Sequence, residues 1–102
     1  MSPHVAFAAL SDPTRCRVIE MLHERPRPVH EIAAVFPISR PALSRHLRIL
    51  KDAGLVSEHK QGRENIYSLE RERLRLAGAW LGRLWSARLN ALKAAAERKQ
   101  SP

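Results

Sequence analysis

Seven residues in one short stretch, Ser39, Arg40, Pro41, Ser44, Arg45, Arg48 and Lys51, carry the most suggestive chemistry of this chain. At about 100° per residue they gather on one side of a helix. Leu43, Leu47 and Leu50 fall on the other side, flanked by Ala42, His46, Ile49 and Ala53. One face is suited to burial and the other offers hydrogen-bond donors to a polyanion. Arg40, near the helix start, has the planar fork that grips O6 and N7 of guanine bidentately. Ser44, one turn further, and Arg45 beside it reach base edges or a phosphate. Pro41 offers an apolar contact to a thymine methyl, and Ser39 a backbone N–H to a phosphate at the helix start. Arg48 and Lys51 lie further along and suit phosphate contact. The competing reading is a solvated basic face with no partner.

The elements that must position these groups are marked by local signals. Ser39 is placed as the N-cap, Pro41 lies in the first turn, and Gly54 ends the helix through a left-handed residue. Upstream, residues 4–10 read as a short apolar helix. Asp12 then caps a helix over residues 13–24 that buries Val18, Ile19 and Leu22. Arg25-Pro26-Arg27-Pro28 breaks the pattern. Helical spacing resumes over residues 29–36, and Pro37 requires that helix to end by about Val35. Two short helices joined by a tight turn, the second one basic, form a helix-turn-helix. Downstream, strands over residues 55–60 and 65–69 flank Gln61-Gly62-Arg63-Glu64, a hairpin loop. Such a hairpin is a wing, and its tip brings Lys60 and Arg63 as further DNA contacts. A long helix over residues 70–98 follows, with Leu74, Ala77, Trp80, Leu81, Leu84, Trp85, Leu89 and Leu92 among its apolar positions, and residues 100–102 are expected to fray. The predicted fold is mainly α with a small β-hairpin, in the order α-α-α-α-β-β-α.

Length and charge fit this outline. A chain of 102 residues makes one small domain. Within it, residues 1–69 form the DNA-binding part and residues 70–102 a dimerisation helix. The net charge of +8 is unevenly placed: residues 1–36 balance, while residues 37–63 carry six cations against two carboxylates. The excess begins where the basic helix begins, and points to nucleic acid. A single cysteine, Cys16, leaves no internal disulfide. No apolar run approaches the roughly 20 residues that span a bilayer, and no signal peptide is apparent, so a cytoplasmic protein is expected. With no phosphate-binding glycine loop, paired carboxylates or supported Cys/His dyad, an enzyme is not expected.

ALSDPTRCRVIEML, VHEIAAVFPISRPALSRHLRILKDAGLV and QGRENIYSL together resemble the ArsR-type winged helix-turn-helix repressors over about residues 8–69. The SRPALS helix and the Trp80/Trp85 tail are similar to a metal-independent branch of that family. The resemblance implies a homodimer joined through the first and last helices, with Val5, Phe7 and the apolar positions of the last helix at the interface. It also implies repression from a double-stranded operator of inverted symmetry. A 29-position apolar-striped helix on a small winged domain independently needs something to cover it. The turn departs from the family, which usually has glycine where Pro37 stands.

No metal or other cofactor is expected. Thiolate sensors of the family carry Cys-x-Cys before the turn, where this chain has Val29-His30-Glu31-Ile32-Ala33. The other common type uses Asp and His on the final helix, and residues 70–102 contain neither. Cys16 and His23 stand about 10.5 Å apart along a helix axis, too far to share one ion. His46 lies on the apolar side and is expected to pack, and Arg15 to make a structural hydrogen bond. Two other readings remain open. One is a winged-helix module that binds protein; the other is a regulator gated by a small-molecule or thiol effector through Cys16.

Overall fold

Asp12 starts the first long helix in the manner its sequence demands, its carboxylate accepting from the Arg15 backbone N–H at 3.1 Å. The computed structural model describes residues 3–100; of the residues expected to fray, Gln100 is instead the last helical residue of the chain's final helix, and residues 101–102 fall outside the described residues. The elements are α1 (Pro3–Ala9), α2 (Pro13–Glu24), β1 (Arg27–Pro28), α3 (Val29–Ala33), α4 (Arg40–Asp52), β2 (Val56–Gln61), β3 (Glu64–Leu69) and α5 (Arg71–Gln100). The arrangement is a winged helix-turn-helix, mainly helical with an antiparallel hairpin.

One element is additional. The run read only as a helix breaker contains β1, which pairs antiparallel with β3, Arg27 opposite Tyr67 and Pro28 opposite Ile66. The sheet therefore has three strands in the order β1-β3-β2. β1 lies at an edge, the position where a proline's missing N–H is tolerated. α3 is also shorter than the apolar spacing of residues 29–36 suggests. It ends at Ala33, the Ala34 N–H reaching the His30 carbonyl at 3.1 Å, and Pro37 lies in the turn.

α4 begins at Ser39, whose Oγ accepts from the Ala42 N–H at 3.2 Å. It closes with a Schellman motif. Gly54 N–H donates to Lys51 at 2.9 Å, Leu55 N–H donates to Leu50 at 3.0 Å, and Gly54 has φ +77°. Leu50 and Leu55, the pair that packs across such a cap, are both fully buried. Around them sit Val18, Leu22, Ile32, Leu43 and Leu47, and no polar side chain is buried among the described residues.

α5 has 30 residues, about 45 Å of helix. Its first turns are covered: Ala77 is buried, Leu74 packs against the core, and Trp80 meets Phe7 and His4 of α1 at 5.5 Å. From Leu81 to Ala94 every residue is exposed. The molecule is accordingly long, 70 × 26 × 21 Å.

Gly54→Ala should destabilise the fold by about 1–2 kcal/mol, the penalty for a Cβ in left-handed backbone. Urea unfolding would show it as a lower midpoint at unchanged slope; an unchanged midpoint would contradict the cap geometry.

Candidate nucleic-acid interface

Burial of Leu43, Leu47 and Leu50, each 1% exposed or less, fixes the rotation of α4. It leaves Ser39, Arg40, Pro41, Ser44, Arg45, Arg48 and Lys51 all exposed. Ile49, expected at the flank of the apolar side, is 37% exposed. Charge pairing then divides the basic face. Arg40 and Arg45 have no carboxylate partner among the described residues, whereas Arg48 lies 3.9 Å from Asp52 and Lys51 lies 3.0 Å from Glu58. The N-terminal end of the helix thus presents unpaired guanidinium groups, and its C-terminal half presents partly neutralised ones.

The wing is a tight hairpin whose register pairs Gln61 with Glu64, leaving Gly62 and Arg63 as the loop. Gly62 has φ +65° and Arg63 does not, the type II′ pattern. Lys60 and Arg63 stand exposed at its tip, also without a carboxylate partner among the described residues. His30 of α3 reaches Glu64 at 3.1 Å.

Glu58 is a residue of this face that the sequence pattern did not single out. One carboxylate oxygen accepts from Lys51 of α4 at 3.0 Å and the other from the Tyr67 hydroxyl at 2.8 Å. The hydrogen bonds from Lys51 and then Tyr67 hold the Glu58 carboxyl below its ordinary range. A depressed folded-state value means that the interaction is complete above the ordinary value and is lost only in stronger acid. Tyr67 shifts the other way, pushed up to about 12 by burial first and by Glu58 second. The signal was available in the hairpin, because any loop centred between Gly62 and Arg63 sets Glu58 opposite Tyr67. These groups and Ser44, Arg48 and Asp52 line a cleft of about 290 Å³ between α4 and the wing.

Arg15 and His46 hold α4 from behind. Arg15 Nε donates to the Ala9 carbonyl at 2.5 Å, and its Nη1 donates to His46 Nδ1 at 3.0 Å. That contact gives Nδ1 the acceptor role. His46 is half-buried, with Asp12 at 3.8 Å. Both residues pack as their places in the sequence indicate. The Cys16 thiol is half-buried and donates to the Leu10 carbonyl at 2.9 Å. His23 accepts from Arg71 at 3.0 Å. Among the described residues no three His, Cys, Asp or Glu side chains are grouped as ion ligands. Nor, among the described residues, is any helix long and apolar enough to cross a membrane.

The expected interface residues separate into two groups. Ala77 is already buried within the chain, and Phe7, Leu74 and Trp80 are half-buried, Leu74 against the core and Phe7 and Trp80 against each other across α1 and α5. Val5, Leu81, Leu84, Leu89, Trp85 and Leu92 are exposed, the last two by 63% and 67%.

Comparison with known proteins agrees with this geometry. The family model described as bacterial regulatory protein, arsR family, matches residues 12–58. The HTH-type transcriptional regulator Rv2034 of Mycobacterium tuberculosis is 40% identical over 88 residues, 86% of this chain and 82% of that one. The transcriptional repressor SdpR of Bacillus subtilis is 39% identical over 75 residues, 74% of this chain and 83% of that one. Among solved structures, the ArsR-like transcriptional regulator from Rhodococcus sp. RHA1 aligns with a TM-score of 0.75 at 35% identity, over 92% of each chain.

Tyr67 is the only tyrosine, so tyrosinate absorbance reports it alone. In folded protein little tyrosinate should form at pH 11, whereas urea-unfolded protein should be half-ionised near pH 10.0. Because the folded state keeps this proton longer, stability should fall as pH rises above about 10. A folded-state midpoint at the unfolded value would contradict the Glu58 contact.

Proposed function

The chain belongs to the arsR family of bacterial regulatory proteins, DNA-binding transcription regulators with a winged helix-turn-helix, and from that premise we propose that it is a cytoplasmic, homodimeric repressor of an inverted-repeat operator. The observation that carries this reading is the pair of exposed, unpaired guanidinium groups at the start of α4, backed by fully buried leucines. An α-helix fits the major groove, and its N-terminal residues are those that meet base edges. Arg40, Ser44 and Arg45 read bases, with Pro41 packing against them. Ser39 and Arg48 hold phosphates, and Lys60 and Arg63 extend the contact from the wing. The exposed side of α5 supports the second copy: Trp85, Leu89 and Leu92 are large apolar groups left exposed among the described residues. Obligate interfaces bury such residues, and two copies place two recognition helices about one turn of DNA apart. The donor set supports regulation without a metal, since α3 has no cysteine and residues 70–102 have neither Asp nor His.

Arg40→Ala should remove about 1–3 kcal/mol of discrimination per half-site while leaving the protein dimeric by light scattering. Arg48→Ala should weaken binding to any duplex and lower the salt slope by roughly one unit for each phosphate it no longer neutralises. If the wild-type protein shows no preference for promoter DNA from beside its own gene over random duplex, this reading fails.

Leu89→Glu should convert the dimer to a monomer that keeps its helical circular dichroism and loses operator binding. A stable dimer in that variant would place the interface elsewhere.

A further inference from the structure

We propose that Glu58 is a positioning residue for DNA recognition, its carboxylate latching the wing to α4, with the Lys51 ammonium serving that latch and not a phosphate. The inference rests on the DNA-facing reading of α4. It departs from the expectation, drawn from helical periodicity, that Lys51 is a backbone contact.

Three observations carry it. First, the two oxygens of one carboxylate serve two elements, Oε1 taking Lys51 of α4 and Oε2 taking Tyr67 of β3. Glu58 itself sits on β2, so a single group joins the helix to both strands of the wing. Second, the carboxylate is sheltered at its sheet end, where Tyr67 holds it, while Lys51 reaches it from the exposed side. The Glu58 side chain is 23% exposed and Tyr67 is 9% exposed, well below the 50% of Lys51. Tyr67 lies in the central strand, its backbone paired opposite Glu58 of β2 on one side and Arg27 of β1 on the other, so the residue that carries the hydroxyl is fixed by both neighbouring strands. Third, the carboxylate stands in an unfavourable place for a DNA-binding face. It shares its cleft with Ser44 and Arg48, where a negative charge opposes phosphates. Neutralisation by Lys51 removes much of that opposition and at the same time fixes the angle at which the wing leaves the helix.

The latch and a plain phosphate role for Lys51 predict opposite signs. Glu58→Gln raises the net charge by one and releases Lys51; by simple electrostatics it tightens DNA binding. Under the latch it weakens binding, because Arg63 and Lys60 are no longer held over the duplex. The test uses full-length protein and a duplex enriched from a randomised library by the wild type, with a scrambled duplex alongside. Lys51→Met and Glu58→Gln should each weaken binding to the enriched duplex by roughly five- to twenty-fold. The double variant should be no weaker than either single one, the signature of two groups acting as a unit. Tighter binding by Glu58→Gln, or additive effects in the double variant, would overturn the proposal. A DNA-free measurement separates this from failure of the DNA reading. In Glu58→Gln, backbone amide relaxation should show increased mobility over residues 57–68 with α4 unchanged. Wing amides as rigid as in wild type would sink the latch, whatever the library yields. A library that enriches nothing would sink the sequence-specific reading, and the amide measurement would still decide the latch.

Discussion

Everything on the DNA-facing side depends on how Leu43, Leu47 and Leu50 are buried. Full burial of one such side chain contributes about 1.5–3 kcal/mol, and these three meet Leu22, Ile32 and Leu55 in one cluster. A rotation of α4 by one residue, about 100°, would lift leucines from the core and turn charged neighbours toward it. Burying an unpaired guanidinium there is far costlier than giving up any surface interaction. The apolar face therefore selects which cations look outward, although it touches no DNA itself. The same cluster sets the exit of the chain. Leu55 packs across the Gly54 cap onto Leu50, so the cap that ends α4 also starts β2 in a fixed direction. Glu58 arrives beside Lys51 as a consequence.

Electrostatics refines what packing selects. Residues 37–63 hold six cations and two carboxylates. Both carboxylates are engaged, Asp52 by Arg48 and Glu58 by Lys51. The net charge of this segment thus resides on Arg40, Arg45, Lys60 and Arg63, two on the helix and two on the wing. Basic residues elsewhere are held differently. Arg27 is gathered between Glu24 at 2.6 Å and Glu31 at 3.2 Å, with the Met21 carbonyl at 3.1 Å, and ties β1 to α2 and α3. Net charge locates the basic region, and pairing locates the charges within it that remain available.

Where the sequence was legible, the signal was local. Asp12, Ser39 and Gly54 each act within three or four residues of themselves, so the ends of α2 and α4 could be read directly. Pro37 likewise required α3 to stop early, and α3 stops at Ala33. β1 was not legible because two residues containing a proline have no alternation to detect; the strand exists only because β3 runs beside it. Lys51 shows the limit for the site. Periodicity assigns it to the same side of α4 as Arg40, but only the hairpin register and the seating of α4 on the sheet bring Glu58 to it. Which cations share a face is a property of one helix. Which of them are free is a property of the tertiary fold.

The remaining constraint is how the α1–α5 layer, the proposed interface between copies, is held relative to the proposed DNA-facing helix α4. α1 packs on α5 through Phe7 and Trp80, and the Ala9 carbonyl at the end of α1 accepts from Arg15. Arg15 in turn donates to His46 of α4. A short, half-buried chain of hydrogen bonds therefore runs from the helix layer that would face a second copy to the back of the recognition helix. Loops are not needed to set that angle. In a two-fold dimer the separation of the recognition helices depends on it, and an operator with fixed half-site spacing tolerates little error. Placing Arg15 and His46 behind α4, on the side away from its exposed basic face, makes the spacing in such a dimer a matter of internal packing and leaves the exposed residues of the proposed interface free of that task.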